Sequence, residues 1–287
     1  MRPRQWTKNV IIYAALVFDG QMFNGAAFAR VTLSFVLLCL ISSTVYIVND
    51  LVDIESDRQH PTKKNRALPA GQLPIWLAII GAVVLPTASI LIALTFSVPF
   101  TAVLVMYLGL QLLYSFWLKH VVILDVLVVA AGFVLRVTAG VVVIEVARFS
   151  PWLYACTALL ALFLIIGKRR QEFLQLADKA GSVRVTLRQY NLPLLDDMLR
   201  MVMTGTLIAY LLYAIEEPSE LLQGTNLALL TVPFVVYGVF RYLYLMHVKG
   251  DGSAPDEVLL KDRPIQLAIL LWGATFVLIL YLPHLNI

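Results

Sequence analysis

Charge is scarce in this 287-residue chain: Asp, Glu, Lys and Arg together make up 14% of it, beside 60% hydrophobic residues and a mean hydropathy of +0.82. Soluble domains carry about 25% charged residues, so the shortage excludes an ordinary water-soluble globule. Cysteine is scarcer still. Cys39 and Cys156 both fall inside apolar runs, which excludes a disulfide framework and a cysteine-bound zinc site. The four histidines, His60, His120, His247 and His284, form no H-x-x-x-H or H-E-x-x-H pattern, so a zinc hydrolase is unsupported. No G-x-G-x-x-G or Walker sequence occurs either.

What the chain does have is apolar runs, recurring from end to end at the length needed to cross about 30 Å of hydrocarbon, roughly 20 residues each. The spans read as approximately 9–27, 29–49, 74–96, 98–117, 121–144, 151–168, 195–215, 226–247 and 264–283. This predicts nine transmembrane helices in an all-α, multi-pass membrane protein. The helices consume most of the chain, so residues 1–287 are expected to form a single integral-membrane domain. The first run follows Arg2, Arg4 and Lys8 but lacks a small-residue cleavage pattern, and "LVFDGQMFNG" reads as a turn after a retained helix.

Lys and Arg gather at the N-terminus and in segments 50–72, 118–120, 168–193 and 249–263, whereas the opposite loops hold only Arg30 and Arg148. The positive-inside rule then places the N-terminus and the basic loops in the cytoplasm, and the odd helix count places the C-terminus outside, as in a cell (inner) membrane. The net charge of +4 reflects this topology and an affinity for anionic lipid, not for nucleic acid.

The most polar early stretch is "VNDLVDIESDRQHPTKKNRALPAG", residues 48–71. At 100° per helical residue, Asn49, Asp50, Asp53 and Asp57 share one face about 100° wide, and Glu55 points away. Like charges at that spacing repel, so a cation is the natural compensation. Carboxylates with an amide oxygen are hard ligands suited to Mg2+, with Mn2+ as a possible substitute; Mg2+ binds through one or two carboxylates and completes its shell with phosphate and water. Arg58, Lys63, Lys64 and Arg66 follow in a segment broken by Pro61, Pro69 and Gly71. Metal and basic groups converging on one loop suggest a pyrophosphate ligand.

Further candidates lie downstream. Tyr114 and Lys119 close the fourth helix, where Lys119 can meet a phosphate or simply anchor the interface. Asp125 and Arg136 sit on one helix, 11 residues and about 16 Å apart, too far to pair. Asp125 can join the metal or orient Lys119. Arg136 near mid-depth is either a structural clamp or a lipid-phosphate ligand, and Arg241 poses the same question. Lys168, Arg169 and Glu172 begin where the sixth helix leaves the membrane, with Lys168 and Glu172 one turn apart as an ordinary surface pair. Arg169 and Arg170 point to neighbouring faces, so one of them is expected to reach a ligand. Asp256, Glu257, Asp262 and Arg263 are weaker candidates in the last basic loop. Gly132, Gly140 and Gly167 suit close helix packing.

The pattern Asn49-Asp50-x-x-Asp53-x-x-x-Asp57 resembles the first aspartate-rich motif of the UbiA superfamily of intramembrane prenyltransferases. Within it the chain looks most like the decaprenyl-phosphate phosphoribosyltransferase branch, through "RPRQWTKN" at 2–9, "YSFWLK" at 114–119, "LDVLVVAAGFVLRVTAG" at 124–140, "GKRRQE" at 167–172 and "PDEVLLKDR" at 255–263. One departure from the superfamily stands out. Members using prenyl diphosphates generally carry a second aspartate-rich motif after the sixth helix, but residues 168–193 hold only Asp178 before a run without D-x-x-x-D.

The resemblance implies a UbiA-like bundle of about nine helices around a central cavity. It also implies transfer of 5-phosphoribosyl from phosphoribosyl diphosphate to a polyprenyl phosphate, with release of pyrophosphate. Asp50, Asp53 and Asp57, assisted by Asn49, would hold the metal. Arg58, Lys63 and Arg66 would neutralise phosphates, while Arg136 or the Lys168 cluster would receive the lipid phosphate. Two alternatives stay open: a UbiA-type enzyme alkylating an aromatic or other small acceptor with a prenyl diphosphate, and a non-catalytic carrier or cation transporter using the acidic patch.

Overall fold

The computed structural model of the chain describes residues 3–59, 63–146, 150–176, 185–216, 226–249, 258–259 and 261–281. Among these residues the regular elements are all helical. They divide into two compact units, one of residues 1–117 with 135–147, the other of residues 118–134 with 148–287.

The first unit opens differently from the helix expected over 9–27. Pro3–Tyr13 winds as a 3-10 helix and Ala14–Phe18 as a short α-helix, α1, before the chain turns at Asp19 and Gly20. A 3-10 helix rises about 2.0 Å per residue, so these 11 and 5 residues extend about 30 Å, but the apolar part that follows Arg4, Gln5 and Lys8 covers only about half of that. The tight winding eclipses positions i and i+3. Trp6, Asn9 and Ile12 therefore form one stripe. Trp6 Nε1 donates to Ser43 Oγ at 3.1 Å, and Asn9 Nδ2 donates to Ser42 Oγ at 3.1 Å, both on the next helix.

That helix, α2 (Gly25–Val52), starts at Asn24, whose side chain accepts from the amides of Ala26 and Ala27. Its buried hydroxyls are satisfied one turn back, as Ser34 donates to the carbonyl of Arg30 and Ser43 to that of Cys39. At Asp53 the α2 helix ends and α3 (Ile54–Gln59) begins. The chain returns through a 3-10 turn, Lys63–Asn65, and buries Leu68 against Ile47 and Ala78. Gly71, at φ +73°, supplies the left-handed turn that closes the return. Helices α4 (Ile75–Leu94) and α5 (Val98–Phe116) then pack against α2.

Helix α6 (Leu124–Val143) begins in the second unit and ends in the first. Its Gly140 is a place where no side chain fits: a Cβ there would stand 2.1 Å from the carbonyl oxygen of Ile12. The backbones of α6 and the 3-10 helix touch directly, as expected of small residues between membrane helices.

In the second unit α7 (Pro151–Leu176) packs along α8 (Leu192–Glu216). A 3-10 turn, Leu227–Thr231, leads into α9 (Val232–His247), which packs on α10 (Arg263–Tyr281). Their core gathers Ile166, Leu195, Leu199, Tyr242 and Ile265. Arg241 on α9 donates to Asp262 at 2.9 Å, so its charge fastens α9 to the start of α10. Helix α7 runs eight residues past the predicted boundary at 168, which moves Lys168–Glu172 from the expected loop onto a helix.

Among the described residues eight helices are long and apolar enough to cross a membrane: α2, α4, α5, α6, α7, α8, α9 with its 3-10 lead, and α10. The N-terminal element, with Arg4, Gln5 and Lys8 in its first turns, is not among them. Large apolar side chains such as Trp76, Val83, Met201 and Leu270 face outward. The hydrocarbon of a bilayer covers such faces, and the chain is a multi-pass membrane protein.

Candidate functional site

The acidic stretch sits at the break between α2 and α3. The helical bond from the Asp53 amide to the Asn49 carbonyl and that from Asp57 to Asp53 survive the break, at 3.0 and 2.8 Å. Asp50 and Asp57 thus remain on one face, as the sequence spacing predicts. Between them stands Arg66, brought back by the burial of Leu68. A single atom, Arg66 Nη1, donates to Asp50 Oδ1 at 3.1 Å and to Asp57 Oδ2 at 2.6 Å. The compensating charge expected from a metal is here provided by the chain itself.

Burial grades this cluster. The Asp57 side chain is 2% exposed, Asp50 15% and Arg66 31%, so the acids lie deep and the arginine at the rim. Asn49 and Asp53 are half-buried beside them. Two carboxylate oxygens converging on one cationic point match the one or two carboxylates by which Mg2+ is usually held. Among the described residues no group of three His, Cys, Asp or Glu side chains forms that could hold a metal, so Asp50, Asp53 and Asp57 do not gather as one ligand set in this structure. The donor chemistry fits Mg2+.

The basic residues around the stretch separate. Arg58 turns outward to Glu55 at 2.9 Å in an exposed pair. Lys64 is exposed, and Lys63 lies in the 3-10 turn with its side chain outside the described residues.

A second cluster of the same composition forms in the second unit. Arg169 Nε donates to Asp125 Oδ2 at 3.0 Å and Nη1 to Glu172 Oε2 at 2.7 Å. Tyr190 donates its hydroxyl proton to Asp125 Oδ1 at 2.7 Å and accepts from the amide of Ile123 at 2.8 Å. Ile123 has φ +71°, a strained value for a β-branched residue, and the Tyr190 bond holds it there. Burial, and then the bond to Asp125, push the Tyr190 phenol up to about 12. Asp125 is fully buried and Arg169 2% exposed. The expected surface pair of Lys168 with Glu172 is replaced by Arg169 with Glu172, and Lys168 points outward. Arg170 donates to Asp196 at 2.6 Å, so both neighbouring arginines meet carboxylates of the chain.

Arg136 meets side chains of its own chain. It is 7% exposed. It donates to Asn9 Oδ1 at 2.7 Å and to the Tyr107 hydroxyl at 2.6 Å, with its guanidinium 4.9 Å from the Tyr107 ring centre. Arg136 and Gly140, one α-turn apart, meet Asn9 and Ile12, one 3-10 turn apart. Tyr114 is half-buried near the end of α5, and Lys119 half-buried in the 3-10 turn Leu118–His120. Asp262 is held below the usual carboxylate range by Arg241, and Arg263 is exposed. Asp256 and Glu257 lie outside the described residues.

Sequence reasoning missed Tyr190, Asn9 and Tyr107. Only Asn9 had a signal, as the last residue of "RPRQWTKN".

Comparison with known proteins bears on the whole chain. The family described as the UbiA prenyltransferase family matches residues 10–261. A decaprenyl-phosphate phosphoribosyltransferase of Mycolicibacterium smegmatis is 34% identical, covering 96% of this chain and 89% of that protein. One from Mycobacterium tuberculosis is 35% identical over 96% of this chain and 91% of its own length. The structure is similar to that of a UbiA homolog from Archaeoglobus fulgidus solved with DMAPP and Mg2+. The TM-score is 0.71 at 17% identity, covering 97% of this chain and 96% of the other. That likeness concerns the fold.

Proposed function

Because the chain belongs to the UbiA prenyltransferase family, we propose that it is a polyprenyl-phosphate phosphoribosyltransferase. It moves the 5-phosphoribosyl group of phosphoribosyl diphosphate onto a decaprenyl-type lipid phosphate. The observation that carries this reading is the 34–35% identity, over nearly the full chain, to proteins named for that reaction. The acidic face at α2–α3 supports it. The whole chain acts as one integral-membrane transferase domain, with its N-terminus and acidic face on the cytoplasmic side of the cell membrane and its C-terminus outside.

Asp50, Asp53 and Asp57, with Asn49, hold Mg2+ or, as a substitute, Mn2+ on the donor diphosphate. The bound metal supplies charge stabilisation for the departing pyrophosphate. Arg66 and Lys63 add positive charge beside it. The bond from ribose C1 to pyrophosphate breaks as a lipid phosphate oxygen forms a bond to C1 from the opposite face, inverting that carbon. The lipid phosphate is already anionic at neutral pH, so the reaction requires no strong general base, in keeping with the lack of a histidine motif. The product feeds pentose into cell-wall arabinan or related glycans.

The test is transfer of radiolabel from phosphoribosyl diphosphate into the organic phase by purified protein with a polyprenyl phosphate and Mg2+. Label should enter the lipid, and Asp53→Asn should abolish the transfer while leaving folded protein. No label in the lipid removes the proposal. A parallel arm with geranyl diphosphate and a hydroxybenzoate tests aromatic prenylation, against which the missing second aspartate motif in 168–193 counts.

A further inference from the structure

The Arg66 bridge has a consequence for how the site fills. We propose that Arg66 is an exchangeable counter-ion: it holds Asp50 and Asp57 together, then leaves them and pairs with the diphosphate when donor and divalent cation bind together. This rests on reading the acidic face as a metal–diphosphate site.

Three observations support the exchange. First, the contacts to both carboxylates come from one atom, Arg66 Nη1, at the point where the two oxygens converge. Two cations cannot share that point, by size and by repulsion, so Arg66 and a metal compete for it.

Second, the two sides of the pair differ in freedom. Asp57 is buried and its amide is tied to the Asp53 carbonyl at 2.8 Å. Arg66, at 31%, is the more exposed partner and is carried on a long side chain. Third, the Arg66 backbone has an anchor that survives the movement. Leu68, two residues on and 4% exposed, is packed against Ile47 and Ala78 with Leu51, Ile54 and Leu73 around it. A guanidinium released from the carboxylates therefore stays beside them, within reach of any phosphate they gather, and its planar fork suits a phosphate as well as a carboxylate.

Linkage gives the functional result. A metal alone must displace Arg66 with nothing to receive it, whereas metal and diphosphate together give the guanidinium a new partner. Donor and metal then bind cooperatively, which guards the acidic face against filling by free divalent cations.

The experiment measures Mn2+ binding to full-length protein in detergent by electron paramagnetic resonance, alone and with inorganic pyrophosphate. The complex that forms in protein-free buffer is subtracted. The wild-type protein should bind Mn2+ about tenfold or more tightly when pyrophosphate is present, within the usual range of coupling between sites. Arg66→Gln should bind Mn2+ alone about tenfold more tightly than wild type and lose most of the pyrophosphate enhancement. Arg66→Lys, which keeps the charge without the fork, should restore part of it.

Unchanged or weaker Mn2+ binding by a folded Arg66→Gln protein overturns the exchange, as does a wild-type protein whose Mn2+ affinity ignores pyrophosphate. If the wild type transfers phosphoribosyl yet shows either result, the exchange alone falls. If neither protein binds Mn2+ under any of these conditions, the exchange falls together with the reading of the site.

Discussion

Each unit of the chain sets one arginine against two carboxylates, and the two clusters behave differently because of where they lie. In the first, Arg66 meets Asp50 and Asp57 with its side chain 31% exposed. In the second, Arg169 meets Asp125 and Glu172 with its side chain 2% exposed and Asp125 at 0%. Water at the rim lets the first guanidinium trade partners at little cost. In the second, any departure would strand a charge in low dielectric, and Tyr190 closes the remaining carboxylate oxygen. The same three-residue chemistry serves exchange in one place and fixation in the other.

Removing one partner from the buried cluster should produce the largest effect. Asp125→Asn leaves Arg169 without its fully buried carboxylate and should cost about 3–5 kcal/mol, read as a large drop in unfolding temperature or loss of monodisperse protein in detergent. A fall of less than about 1 kcal/mol would place this cluster with the exchangeable one.

Tyr190→Phe strips Asp125 Oδ1 and the Ile123 amide of their partner and should cost about 1–3 kcal/mol. The same residue predicts an alkaline limit. The folded protein holds the phenolic proton to about 12, above the ordinary value of about 10. The stability due to Tyr190 is therefore complete below the ordinary value and lost as pH climbs through the higher one. Unfolding scans across that window should show the loss in wild type and a flatter profile in Tyr190→Phe.

At the rim, Asp50→Asn should cost about 1 kcal/mol or less, as partly exposed pairs do. The smallest effect is its salt dependence. Raising salt from 0.1 to 1 M shortens the screening length from about 10 to about 3 Å, so the gap between wild type and Asp50→Asn should narrow, while that for Asp125→Asn should not move.

Much of the site's raw material was legible. The 3.6-residue period placed Asp50 and Asp57 on one face, and they are on one face in the structure. Arg66 was legible as a nearby positive charge but not as the bridge between them, since that depends on where Leu68 buries itself. Arg169 was assigned to a substrate through the likeness of "GKRRQE" to the phosphoribosyl branch, at the point where the sixth span was expected to leave the membrane. Its helix continues to Leu176, and its side chain turns inward to Asp125, 44 positions earlier. Arg136 left two readings open, and the partners it meets were out of reach of the sequence: Asn9 is 127 positions away and Tyr107 29. The 3-10 winding of Pro3–Tyr13 left no hydropathy signal, because hydropathy does not report how tightly a segment is coiled.

By itself the sequence determined that this is a helical membrane protein, roughly where eight of its spans fall, and which face of α2–α3 is acidic, because hydropathy and helical period act between residues close along the chain. Only the tertiary structure decided which arginine meets which acid. A charge in an apolar surrounding demands a partner, but that demand is satisfied by whichever group the packing of distant helices delivers.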